Sequence, residues 1–114
     1  MFAMTARDLV NQRREDIFET YRDQIVSKIT QTIDESFGTK NETRLDIDGL
    51  VSVWPVRMTP QLTSEQQAII EYLFAIFDYG AQLVPDSKTF VPMGLRKADG
   101  SGPEYRRYMI EVAW

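Results

Sequence analysis

From Leu62 to Gly80 the chain reads LTSEQQAIIEYLFAIFDYG, and its apolar positions carry helical spacing. At about 100° per residue, Ile69, Ile70, Tyr72, Leu73, Phe74, Ile76, Phe77 and Tyr79 cover more than half the circumference. A surface helix shows a narrower stripe. This one is therefore expected to be buried on most sides, with Gln67, Glu71 and Asp78 as its continuous polar strip. Thr63 and Gln66 stand at capping-box spacing at its start, and Gly80 is placed to turn left-handed at its end. Full burial of eight such side chains is worth about 12–24 kcal/mol gross. A whole domain keeps only about 5–15 kcal/mol net, so the remaining elements are expected to be organised around this helix.

A longer helix is predicted before it. Thr5 and Asp8 again have capping-box spacing, and Gly38 follows Phe37 as a stop signal. From Ile17 the series Tyr21, Ile25, Ile29, Ile33, Phe37 advances by four, which drifts about 40° per step against a period of 3.6. A helix of about 33 residues would be about 50 Å long, more than the width of a compact domain of this size. Two outcomes are open: a break between Val10 and Ile17, where NQRRED has no apolar residue, or an end that projects and packs on a second copy.

The strands are signalled by alternation. In RLDIDGLVSVWPVRM, Leu45, Ile47, Val51 and Val53 share one face, and Asp46, Asp48, Ser52 and Trp54 the other. The Asp48-Gly49 dipeptide favours instead a hairpin of two short strands, Arg44 to Ile47 and Leu50 to Val56, with Pro55 at an edge or end. A further strand is read from Lys88 to Leu95, interrupted by Pro92, and ADGSGP forms a turn. The clearest strand is the last: Tyr108, Ile110, Val112 and Trp114 alternate with Tyr105, Arg107, Met109, Glu111 and Ala113, and Trp114 is expected to be docked. The order α-β(β)-α-β-β predicts one α+β domain over residues 1–114, with two helices on one face of a three- to four-stranded, mainly antiparallel sheet.

Composition removes several chemistries. The 114 residues include no cysteine and no histidine, hence no disulfide, no thiolate metal site, no imidazole base and no Ser-His or Cys-His nucleophile pair. A net charge of -4 is too small for a nucleic-acid mimic. The first residues, MFAMTARDL, lack the pattern of a secretory signal, and no apolar run approaches the ~20 residues of a membrane span. A cytoplasmic protein without a membrane partner is expected.

Few residues remain as candidates. Asp46 and Asp48, at i and i+2 of a strand, can share a divalent cation, although DIDG lacks the later ligands of an EF-hand. The backbone amides of Gly100-Ser101-Gly102 can form an anion nest, although a flexible hairpin end is the commoner use. Arg96, Lys97, Arg106 and Arg107 would gather at one end of the last hairpin with Tyr105 and Tyr108 among them. With Trp54 they form an expected partner-binding surface, a basic contact for an acidic protein or, as the alternative, for nucleic acid. On the first helix Arg7, Arg14 and Arg22 fall within the apolar sector with Asn11 and Phe18, as at an interface between copies. These readings describe a non-catalytic adaptor, inhibitor or assembly component that self-associates as a homodimer, binds a protein partner and uses no cofactor or metal. The alternatives are a nucleic-acid-binding module and, third, a metal-dependent enzyme using Asp46 and Asp48.

Overall fold

The computed structural model describes residues 5–114 and has the expected α+β architecture. Helix α1 (Ala6–Ser36) is followed by β1 (Glu42–Leu45), β2 (Ser52–Pro55), α2 (Ser64–Phe77), β3 (Gly80–Phe90), a 3-10 turn at Met93–Leu95, and β4 (Tyr105–Ala113). All strand pairings are antiparallel. The core joins Leu45, Ile110 and Val112 of the sheet to Phe18, Ile25, Ile69 and Leu73 of the helices.

Helix α1 runs unbroken through NQRRED. Its capping box is made, with the Asp8 amide donating to Thr5 Oγ1 at 3.1 Å and the Thr5 amide to Asp8 Oδ2 at 3.2 Å. The polar run stays helical because its side chains pair along the helix, as in Gln12 Nε2 to Asp16 Oδ1 at 3.0 Å. Its 31 residues span about 46 Å, and the length is accommodated by projection: every residue from Ala6 to Arg13 is exposed. Only Phe18 and Ile25 are fully buried along the whole helix, which is the consequence of an apolar stripe that drifts off the core.

The expected hairpin at Asp48-Gly49 is not formed. β1 and β2 do not pair with each other; they lie end to end along one side of β4, with Leu45 opposite Ile110 and Ser52 opposite Tyr108. Residues 46–51 therefore loop out opposite Met109 alone. The turn itself exists, with the Leu50 amide donating to the Ile47 carbonyl at 2.9 Å and Gly49 at φ +89°. Asp48 and Gly49 at its tip are exposed, while the flanking Ile47 and Leu50 turn inward and become part of the core. Burying them is worth about 1.5–3 kcal/mol each, which outweighs a two-strand ladder that would leave both at a sheet edge.

The helix expected to be buried on most sides is buried on one. In α2, Gln66, Ala68, Ile69 and Leu73 are buried, whereas Phe74 is 66%, Ile76 58% and Phe77 44% exposed. A helix in a two-layer domain has a sheet beneath it and, here, one neighbouring helix; among the described residues no third layer covers the rest. Its capping box is present, with Gln66 Oε1 accepting from the Thr63 amide at 3.0 Å and Thr63 Oγ1 from the Gln66 amide at 3.1 Å. The buried Gln66 also donates Nε2 to the Leu50 carbonyl at 3.0 Å and to Ser52 Oγ at 3.1 Å, tying α2 to the looped-out segment.

Two further expectations are corrected. Asp78, at φ 58°, takes the left-handed cap of α2, and Gly80 is already the first residue of β3. The strand expected at Lys88–Leu95 begins eight residues earlier and ends at Phe90, and Met93–Leu95 is helical. Pro85 is tolerated because β3 is an edge strand, and the register slips between Pro85 and Thr89. The last strand forms as expected at the centre of the sheet, and the Trp114 amide donates to the Asn41 carbonyl at 2.9 Å.

Candidate interaction surfaces

The residues expected to form one basic surface are divided by the sheet. Consecutive residues of a strand point to opposite faces. Arg106 stands opposite Trp54 and Thr89, on the face that carries Tyr108, Ile110 and Val112. Arg107, opposite Val53 on the other face, binds Asp46 Oδ1 through Nη2 at 2.7 Å. Arg106 Nε and Trp54 Nε1 are buried with no acceptor among the described residues. Tyr105 is half-buried between Pro55 and Phe90. Arg96 and Lys97 remain together at the surface, in the connection between β3 and β4. Arg96 Nε donates to the Val91 carbonyl at 3.0 Å and the Lys97 amide to the Ser101 carbonyl at 2.8 Å, so this loop is ordered from within.

Most of the other candidates are also engaged inside the chain. The Gly100 amide donates to the Lys97 carbonyl at 2.9 Å and the Ser101 amide to Asp99 Oδ1 at 3.0 Å, so two donors of the expected anion nest are already used. Ser101 Oγ donates to the same carboxylate at 2.6 Å, and these bonds hold the Asp99 carboxyl below its ordinary pKa. Asp46 and Asp48 do not lie on one strand, and the Asp46 carboxylate is occupied by Arg107. No group of three or more metal-ligating side chains occurs among the described residues. On α1, Phe18 is buried and stacked on Tyr72 at 4.4 Å between centroids, and Arg14 binds Glu71 of α2 at 2.6 Å. Arg22 pairs with Glu19 at 3.7 Å, and Arg7 is exposed. Arg14 and Phe18 thus join the two helices of one chain.

One surface was not singled out by the sequence, and a second was read only for its cations. The first is the C-terminal turn of α2. Phe74 lies about 200° round the helix from Tyr72, and Tyr72 faces Phe18 of α1, so Phe74 occupies the flank away from α1. Phe77 stacks on Tyr79 at 5.4 Å and also packs against Phe18 at 6.0 Å and Tyr72 at 6.3 Å, so only part of its ring is exposed. The end itself carries the carboxylate of the cap residue Asp78 and no Lys or Arg, whereas Glu71 is paired with Arg14 and Glu65 lies in the first turn. The Tyr72 hydroxyl has a raised pKa, chiefly through burial and then through Glu15 and Glu19, with Arg22 opposing. The second surface is the β3–β4 connection, where Met93, 83% exposed, and Leu95 stand beside Arg96 and Lys97. An excess of apolar positions over what one helix face can bury was the available signal for the first. An apolar-basic run broken by Pro92 and Gly94 was the signal for the second.

No helix among the described residues is long and apolar enough to cross a membrane. Comparison with known protein families finds no matching family model, and comparisons with curated proteins and with solved structures find no match either.

Proposed function

We propose that this chain is a non-catalytic protein-interaction protein whose principal contact surface is the C-terminal turn of α2. The exposure of Phe74 and, about 60° round the helix from it, of part of Phe77 at one helix end supports this reading. Scattered apolar residues on a surface are ordinary, whereas clustered ones mark contact sites. At about half of the full-burial value for two large side chains, a partner covering them recovers roughly 1.5–3 kcal/mol, enough to contribute an anchor to an interface. Aromatic anchors in a desolvated centre are also what interface hot spots consist of.

A photoreactive phenylalanine analogue at position 74, in the native host, tests the reading. Adducts with protein should form from position 74 and not from Thr30, an exposed residue of α1. Equal adduct formation from both positions, or none from position 74, would remove the proposal.

A further inference from the structure

We infer that the occupant of this surface is a second copy of the chain, with the Met93–Lys97 loop of each copy seated on the C-terminal turn of α2 of the other. The inference rests on the reading of that turn as a contact surface and adds the identity and geometry of what covers it.

The two surfaces are complementary in kind. The α2 end presents Phe74 and the exposed part of Phe77 beside Asp78, with no basic residue in its last turn. A helix C-terminus carries roughly half a negative charge and is ordinarily neutralised by a nearby cation. Here the cap residue adds a carboxylate instead, so the end is left with an unmet demand for positive charge. The loop offers Met93 and Leu95 as apolar knobs and Arg96 and Lys97 as cations. Its own carboxylate, Asp99, is occupied by Ser101. The loop is also held in shape, with Arg96 Nε donating to the Val91 carbonyl and the Lys97 amide to the Ser101 carbonyl.

The surfaces cannot meet within one chain. They lie at opposite ends of β3, whose eleven residues span about 33 Å. That separation fits a two-fold arrangement. β3 is the edge strand on its side of β4, with no strand beyond it among the described residues. Two β3 edges set antiparallel about an axis near Pro85 bring residue 80 of one copy beside residue 90 of the other. Each loop then reaches the partner's α2 end, and both contacts form at once, as two-fold symmetry demands. Pro85 has no amide hydrogen and the register slips beyond it, so the end contacts, more than a backbone ladder, hold the pair. A strip about 33 Å long on a molecule 20 Å across its shortest axis gives roughly 700 Å² per copy, near the ~800 Å² of a standard interface.

Sedimentation velocity from micromolar to sub-millimolar concentration at low salt tests this, using wild type, Phe74→Lys, and a loop variant carrying Met93→Glu and Lys97→Glu. All three positions are exposed, and circular dichroism confirms that each variant folds. Wild type should sediment as a dimer, with each variant raising the dissociation constant about tenfold or more. An equimolar mixture of the two variants should associate more tightly than either alone, because one intact contact is restored. A wild-type monomer, a mixture no tighter than its components, or assemblies growing beyond two copies would overturn the arrangement. If wild type is monomeric while position 74 still yields adducts with another protein, the second-copy inference falls and the contact surface stands; loss of both results removes both.

Discussion

Replacing Gln66 by leucine tests the joint between α2 and the looped-out segment. The side chain is fully buried and makes three hydrogen bonds: to the Leu50 carbonyl, to Ser52 Oγ, and from the Thr63 amide. Leucine keeps the approximate volume and makes none of them. Ser52 and Thr63 are half-buried, so water can replace much of what they lose. Leu50 is fully buried, and its carbonyl is left without a donor at a cost of about 1–3 kcal/mol. Loss of the reciprocal cap adds about 0.5–1 kcal/mol. The expected total is about 2–4 kcal/mol, and at about 4 °C per kcal/mol for a chain of this length the midpoint should fall by roughly 8–16 °C. Thermal and urea unfolding followed by far-UV circular dichroism measure it, with the exposed Gln67→Leu as the control, expected within about 0.5 kcal/mol of wild type. A loss for Gln66→Leu no larger than that of the control would refute the role assigned to this amide.

Three other outcomes are expected. Gly49→Ala should destabilise by about 1–3 kcal/mol, because φ is +89° and a Cβ would meet the Tyr21 ring at 3.2 Å; urea unfolding should show part of the loss recovered in a Tyr21→Ala background. A double-mutant cycle on Asp46 and Arg107 should give a coupling under about 1 kcal/mol despite the 2.7 Å contact, since both side chains are well exposed, and a much larger coupling would mean a desolvated pair. The Asp99 carboxyl, watched by NMR, should titrate below the ordinary aspartate range and return toward it in Ser101→Ala. A depressed folded pKa means that this contribution is present above the unfolded value and is lost as pH falls through the folded one, so the two variants should converge in stability at low pH.

What was legible in the sequence was local. The Thr5–Asp8 and Thr63–Gln66 pairs specify helix starts through bonds three residues apart, and both are made. The alternation from Tyr105 to Trp114 specified a strand because both of its faces carry large side chains. What was not legible depended on neighbours distant in the chain. Asp48-Gly49 predicts a turn correctly, but whether the flanking strands pair with each other or both with β4 is decided by Ile110 and Tyr108, sixty residues away. Phe74 has the spacing of a buried residue, yet burial needs a layer on that side, and the fold supplies none among the described residues. The early part of β3 was missed because Pro85 argues against a strand unless the strand is known to lie at an edge. The four cations of the last hairpin were grouped by sequence proximity, whereas the pleat sends Arg106 and Arg107 to opposite faces.

The most direct test pairs thermal unfolding with solution mass for Phe74→Lys. Because Phe74 stands in water on the free chain, the midpoint measured at a dilution where wild type is monomeric should stay within about 2 °C of wild type, as for ordinary surface substitutions, while at high concentration the mass falls from the dimer of wild type to a monomer. A midpoint lowered by about 10 °C or more would mean that the side chain belongs to the core, and an unchanged mass would mean that this helix end is not where the copies meet.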